Sequence, residues 1–119
     1  MKSHKDLDVW KKSVDLVSLI YTITKNFPKE EIYGITNQIR RAAISIPSNI
    51  AEGAARNYSK EFIQFLYISL GSISELETQS IISENLKLLS SENSIKVQNE
   101  LTELRKMILG LIQYLKNKK

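Results

Sequence analysis

The sequence predicts an all-α protein, an antiparallel up-down-up-down four-helix bundle that occupies residues 1–119 as one domain. Three observations support this fold class. Apolar residues recur with helical spacing along four segments, and no segment alternates apolar and polar residues for long enough to form a strand. The connections between the segments are short, which favours antiparallel neighbours. The chain also has only 4 Gly and 2 Pro, too few for a turn-rich all-β protein.

The first predicted helix, residues 8–25, carries two apolar stripes side by side. One stripe consists of Leu7, Trp10, Val14, Val17 and Tyr21, and the other of Val9, Leu16, Ile20, Ile23 and Phe27. One stripe is enough for the core of a monomeric bundle. The second stripe therefore predicts either a contact with another subunit or a deep position of this helix in its own domain.

The second predicted helix covers residues 29–57. Pro28 ends the first segment, because the residue before a proline avoids helical geometry, and it can open the second helix. Pro47 lies inside the second helix, where its ring lacks a backbone N–H and clashes with the carbonyl one turn earlier. The apolar stripe nevertheless stays in phase from Ile46 to Ile50. We therefore predict a kink at Pro47 rather than a full break.

The third predicted helix, residues 59–88, is apolar on nearly all sides, and this predicts burial on nearly all sides. Gly71 lies in its middle, where glycine costs about 1 kcal/mol relative to alanine, so we expect a close contact there. The fourth predicted helix covers residues 91–117. Its apolar residues alternate in steps of four and three, as in a heptad seam. The seam consists of Val97, Leu101, Leu104, Ile108, Leu111 and Leu115.

Charge is distributed unevenly along the chain, which has a net charge of +4. Residues 1–60 carry +4, residues 61–103 carry −5, and residues 104–119 carry +5. This asymmetry indicates either a basic face for an acidic partner or pairing between segments of the chain.

Composition excludes several classes of chemistry. Without Cys the chain has no disulfide or thiolate ligand, and its single histidine, His4, cannot form a multi-His metal site. No Glu-x-x-His motif of the di-iron bundles is present. We therefore predict no enzyme, with no catalytic, cofactor-binding or metal-binding residues. No apolar run approaches the length of a membrane span, so we expect no membrane partner and a cytoplasmic location.

Glu77 falls near the main apolar stripe of the third helix, and a carboxylate there needs a partner. Arg40 and Arg105 are the possible partners. We expect a structural ion pair between Arg40 and Glu77 rather than a catalytic acid.

The basic residues indicate a function more strongly than the carboxylates do, since lysine and arginine can contact phosphates. The alternative for each of them is an ordinary solvated helix face. Tyr58 lies beside two of them, so stacking on bases is possible there. The candidate nucleic-acid-binding residues are Arg40, Arg41, Arg56, Lys60, Lys116, Lys118 and Lys119.

The segment from Gln38 to Gly53, with the sequence QIRRAAISIPSNIAEG, resembles the signature of the bacterial four helix bundle protein family. This family is also called the 23S ribosomal RNA intervening sequence proteins. The resemblance covers nearly the whole chain and also includes the segments Asp8–Trp10, Tyr33–Ile35 and Ser59–Phe62. A proline inside an in-phase helix followed by Asn-Ile-Ala-Glu-Gly is unusual, which makes the motif specific.

The resemblance implies an antiparallel four-helix bundle that assembles into a homo-oligomeric ring, a pentamer. Some family members are encoded within inserted segments of 23S rRNA genes. A related branch is the accessory protein of diversity-generating retroelements, which binds a reverse transcriptase and nucleic acid. The family has no catalytic residues to transfer to this chain. The resemblance therefore favours a non-enzymatic, ring-forming protein that binds RNA or another nucleic acid. The alternative is a protein-interaction scaffold that docks a partner such as a reverse transcriptase.

Overall fold

The structure, a computed structural model, describes residues 3–118 and contains four long helices. They are α1 (Asp8–Thr24), α2 (Ile35–Ala54), α3 (Ser59–Asn85) and α4 (Ser91–Asn117), and the described residues include no strand. Each helix packs against its neighbours in sequence, and α1 also packs against α4, which closes the bundle. Since successive helices reverse direction, this is an up-down-up-down arrangement of 49 × 22 × 19 Å. The predicted all-α four-helix fold is confirmed.

The second helix differs from the predicted residues 29–57. Lys29–Glu31 form a separate 3-10 turn, and α2 begins only after Gly34, whose φ of −111° and ψ of −120° lie outside the helical region. The third helix stops at Asn85 rather than residue 88, because Lys87 adopts a left-handed conformation with φ of 64°. Ser90 caps α4, as its hydroxyl accepts a hydrogen bond from the Asn93 amide at 3.1 Å.

The second helix continues through Pro47 without a break. Near Pro47, two side-chain hydrogen bonds join α2 to α3, and we call this pair of bonds the polar clasp. The Ser69 hydroxyl donates a buried hydrogen bond of 3.0 Å to the carbonyl of Ile46. One turn along α3, the Ser72 hydroxyl donates to the Ser45 hydroxyl at 2.8 Å. The two helices therefore share specific hydrogen bonds as well as apolar contacts.

One apolar core cluster joins all four helices. The heptad seam of α4 enters it, although Leu111 is only half-buried and the neighbouring Ile112 is buried instead. On α1 the stripe that includes Val9, Leu16 and Ile20 is buried. The other α1 stripe is only partly covered, and Tyr21 at its end is 41% exposed.

The third helix is not buried on nearly all sides within one chain, so that prediction is wrong for the protomer. Ile68, Ile82 and Leu86 are 51%, 41% and 60% exposed. Gly71 is also exposed, and a Cβ added there would meet no atom within 4 Å. We call Ile68, Gly71, Ile82 and Leu86 the outer face of α3. The helices within residues 3–118 contain no candidate membrane span.

Candidate nucleic-acid-binding surface

Four of the predicted basic residues meet at one end of the bundle. Arg56 lies in the turn between α2 and α3, and Lys60 lies in the first turn of α3. Lys116 lies in the last turn of α4, and Lys118 directly follows this helix. The antiparallel course of the helices places these two segments side by side, and Arg56 and Lys118 line the same cavity. We call Arg56, Lys60, Lys116 and Lys118 the basic end.

The cavity at the basic end has a volume of about 320 Å³. Its apolar lining comes from Leu7, Phe62, Leu111 and Leu115, and its polar lining includes Arg56, Lys118, Tyr58 and Tyr114. Planar aromatic groups can rest on such an apolar surface while cations at the rim hold attached phosphates. This cavity therefore combines an apolar lining with two cations, Arg56 and Lys118.

The cations of the basic end are directed to solvent rather than paired with acids. Among the described residues the salt bridges join other groups, Lys12 to Glu100 and Arg105 to Glu77. The Arg56 guanidinium lies 5.0 Å from the ring centre of Phe65, on the surface of α3. Aromatic contact fixes this cation without neutralising it, so its charge remains available to an anionic partner.

Three tyrosines surround these cations. Tyr58 is 68% exposed, Tyr114 is 62% exposed and Tyr67 is 48% exposed. The Lys116 ammonium donates to the Tyr67 hydroxyl at 3.3 Å and lies 5.8 Å from the centre of its ring. Sequence reasoning missed Tyr67, although it follows Lys60 by seven residues and therefore lies two helical turns along nearly the same side of α3.

The other predicted basic residues lie elsewhere. Arg41 is exposed about 20 Å from the end of α2, given the helical rise of 1.5 Å per residue. It lines a shallow pocket with Gln38, Ser45 and the acidic Glu75. Arg40 is half-buried against α1, near the opposite end of the bundle. Lys119 lies outside the described residues.

The expected ion pair between Arg40 and Glu77 is not formed. Arg40 donates through Nε to the Thr24 hydroxyl at 2.9 Å, and its guanidinium lies 4.5 Å from the ring centre of Tyr21. Glu77 pairs instead with Arg105, the other possible partner, at 3.3 Å. The reason is topological, because Arg40 is on the side of α2 that packs against α1, whereas α3 and α4 are adjacent. Both partners of the observed pair are about one third exposed (30% and 34%), so it adds little stability.

The described residues contain no group of three or more His, Asp or Glu side chains that could hold a metal ion. The basic end offers cations, tyrosine rings and an apolar cavity to a ligand.

Comparisons with known proteins place this bundle among its relatives. No curated protein matches the chain. A crystal structure at 1.70 Å resolution matches it with a TM-score of 0.79 and 25% sequence identity, covering 87% of this chain and 97% of the other. That structure is of a protein of unknown function from the S23 ribosomal protein family of Bacteroides thetaiotaomicron VPI-5482. The model of the 23S rRNA-intervening sequence protein family matches residues 5–110. This match confirms the resemblance carried by the segment Gln38–Gly53, and the chain belongs to the 23S rRNA-intervening sequence protein family.

Proposed function

We propose that this protein is a non-enzymatic homo-oligomer that binds RNA through its basic end in the cytoplasm. The observation that carries the proposal is the convergence of Arg56, Lys60, Lys116 and Lys118 beside exposed tyrosines. The family's description refers to 23S rRNA, which favours RNA over DNA as the partner.

Oligomerisation would strengthen an otherwise modest basic patch. One chain presents only a few phosphate-binding cations at this end, and several copies in one assembly would bind the same strand with higher avidity. The outer face of α3 supplies the apolar surface for contact between copies. The ring of five subunits implied by the family resemblance is part of this proposal.

The proposal is tested by fluorescence anisotropy with a labelled structured RNA, with DNA of equal length and heparin as competitors. The measurements are made at low and at physiological salt. We expect RNA binding to persist at physiological salt and to exceed binding to the two competitors. The double variant Arg56→Ala and Lys60→Ala should weaken this binding. It should also reduce the slope of log affinity against log salt by about one for each phosphate that the variant no longer neutralises.

The double variant Lys96→Ala and Lys106→Ala is the matched control. Both lysines are exposed on α4 and away from the basic end, so this variant removes the same charge from another surface. We expect its RNA affinity to stay close to that of the natural protein. Equal losses of affinity in both double variants would show that only net charge matters, and this would contradict a binding site at the basic end.

A protein-interaction scaffold is the second candidate function, and the exposed apolar residues of α3 favour it. In that case the outer face of α3 docks a different protein, for which the family resemblance suggests a reverse transcriptase. Loss of binding to RNA, DNA and heparin alike at physiological salt would replace the first proposal with this one.

A further inference from the structure

A second cavity lies at the opposite end of the bundle, between the end of α1 and the first turns of α2. It has a volume of about 300 Å³, room for about ten water molecules at their share of liquid volume. Its lining consists of Thr24, Lys25, Phe27, Pro28, Lys29, Ile32, Thr36 and Arg40. Three of these residues are cationic and none is acidic.

Arg40 is fixed in this cavity by two contacts. Its Nε donates to the Thr24 hydroxyl at 2.9 Å, and its Cζ lies 4.5 Å from the centre of the Tyr21 ring. The Thr24 hydroxyl in turn donates to the Ile20 carbonyl at 2.7 Å. Among the described residues no acceptor bonds to the two terminal nitrogens of Arg40. A rigid guanidinium with its outer edge unpaired is suited to bidentate binding of an oxyanion.

Thr36 provides an independent indication of a ligand. It is only 2% exposed and lines the cavity, and its Oγ1 has no hydrogen-bond partner among the described residues. A buried hydroxyl without a partner costs free energy that a bound acceptor would recover. Thr36 is also the second residue of α2, the helix whose first turn no side chain caps.

The first turn of α2, of which Thr36 lines the cavity, has backbone donors without acceptors among residues 3–118. In the described part of the chain, the amides of Ile35, Thr36 and Asn37 have no hydrogen-bond acceptor. Unpaired amides at the start of a 20-residue helix attract anions, as does the positive end of its dipole. At the opposing end of α1, the Thr24 carbonyl accepts a hydrogen bond of 3.0 Å from the Phe27 amide, so this carbonyl is not left without a donor.

We propose that this cavity binds a phosphate group. Arg40 would hold the phosphate oxygens, with Lys25 and Lys29 adding positive charge and the Thr36 hydroxyl donating a hydrogen bond. Phe27, Pro28 and Ile32 form an apolar wall for the organic part of a phosphate ester. Glu30 and Glu31 follow Lys29 and do not line the cavity. The Glu31 carboxylate nevertheless lies beside the start of α2, with Oε1 3.0 Å from where a Cβ on Gly34 would stand, so a bound phosphate would displace it from the helix terminus.

The test is a titration of the full-length, ¹⁵N-labelled protein with inorganic phosphate at constant pH and ionic strength, with chloride as the reference salt. We expect saturable shifts of the Ile35, Thr36 and Asn37 amides and of the Arg40 side chain. Arg40→Gln should weaken phosphate binding by about tenfold or more, as expected for loss of a charged hydrogen-bond donor. Thr36→Val, which keeps the shape but removes the hydroxyl, should weaken it by about threefold to tenfold.

Arg41→Gln is the matched control, since Arg41 is adjacent in sequence but lies outside the cavity lining, and its phosphate affinity should be unchanged. If Arg40→Gln fails to fold, the exposed pair Lys25→Gln and Lys29→Gln replaces it, with the same expected loss. Shifts that do not saturate, or unchanged binding in Arg40→Gln or in the lysine pair, would overturn the proposal.

Two further ligands identify the source of the phosphate. One oligoribonucleotide is prepared with a 5′-phosphate and again with a 5′-hydroxyl. Shifts at Ile35–Asn37 with only the phosphorylated form, at lower concentration than inorganic phosphate requires, assign the site to a nucleic-acid end. Shifts with inorganic phosphate alone assign it to a small phosphate compound. The variant Arg56→Ala and Lys60→Ala should keep its phosphate affinity, so failure of this site and failure of RNA binding at the basic end are distinguishable.

Discussion

Gly53 shows how one residue without a side chain sets the distance between two helices. It is buried near the end of α2, where a Cβ would lie 2.7 Å from the Phe65 Cβ and 2.9 Å from the Phe62 Cδ1. The Phe65 Cβ is attached directly to the backbone of α3, so it can move only if the helix moves. Glycine at this position therefore allows α2 and α3 to approach closely.

We expect Gly53→Ala to reduce the free energy of unfolding by up to about 2 kcal/mol. Overpacking costs about 1–3 kcal/mol, and the higher helix propensity of alanine returns about 1 kcal/mol. Gly110→Ala is the matched control, because a Cβ there meets nothing within 4 Å, and it should raise stability by about 0.5–1 kcal/mol. Urea unfolding measures both. Similar stabilisation by the two substitutions would contradict the close approach of α2 and α3.

For single residues, the sequence identified candidate functional side chains better than it identified the residues that they contact. It identified Glu77 as a carboxylate that needs a partner, but the partner that it assigned, Arg40, faces α1 rather than α3. The actual contacts with Thr24 and Tyr21 depend on which side of α2 packs against α1. Spacing along one helix does not determine which neighbouring helix each of its sides meets.

The polar clasp between α2 and α3 is the clearest feature at the scale of elements. The Ser69 hydroxyl is fully buried and bonds to the Ile46 carbonyl across the helix interface, next to Pro47. A buried hydrogen bond of this kind also fixes the register of two helices, since a slide of one residue would leave the hydroxyl without a partner.

We expect Ser69→Ala to lower the free energy of unfolding by about 1 kcal/mol, the typical net contribution of one hydrogen bond. Ser48→Ala serves as the control, because Ser48 is exposed on α2 and surface changes normally stay within about 0.5 kcal/mol. Chemical denaturation of both variants measures the difference. A destabilisation by Ser69→Ala no larger than that by Ser48→Ala would show that the clasp adds nothing to stability.

Helices with a regular apolar period were predicted well, and irregular connections were not. The seam of α4 could be assigned from its steps of four and three residues, and all but Leu111 of its six residues are buried. The start of α2 could not be assigned in this way. Glu30 and Ile32 suit a helix as well as they suit the 3-10 turn that forms. The backbone conformation of Gly34 decides where α2 begins, and apolar periodicity carries no signal for it.

At the scale of the whole molecule, topology creates the basic end. Arg56 and Lys60 are separated by more than fifty residues from Lys116 and Lys118, yet the alternation of helix direction brings them to one end. The segment charges showed that both stretches are basic. Their proximity followed from the predicted fold, whereas the cavity between them depends on side-chain packing that the sequence pattern does not contain.

The apolar residues that remain exposed on one chain are suited to contacts between subunits. A ring needs two different patches on each subunit, because its interface is heterologous. The outer face of α3 supplies one patch, and the partly covered stripe of α1 that includes Trp10, Val14 and Tyr21 is suited to be the other. Gly71 leaves open space one turn from Ile68, near one end of the α3 patch, so a neighbouring helix can approach its backbone there.

We expect light scattering at micromolar concentration to give a multiple of the 13.6 kDa mass of one chain, five times that mass for the proposed ring. The double variant Ile68→Glu and Ile82→Glu places like charges in the apolar contact and should yield folded monomers, since desolvating an unpaired carboxylate opposes association. Asn99→Glu and Gln113→Glu add the same charge at exposed polar positions of α4 and should leave the assembly intact.

A natural protein that is already a folded monomer would remove the ring from the proposed function. A variant of the α3 face that still assembles would place the interface elsewhere on the bundle.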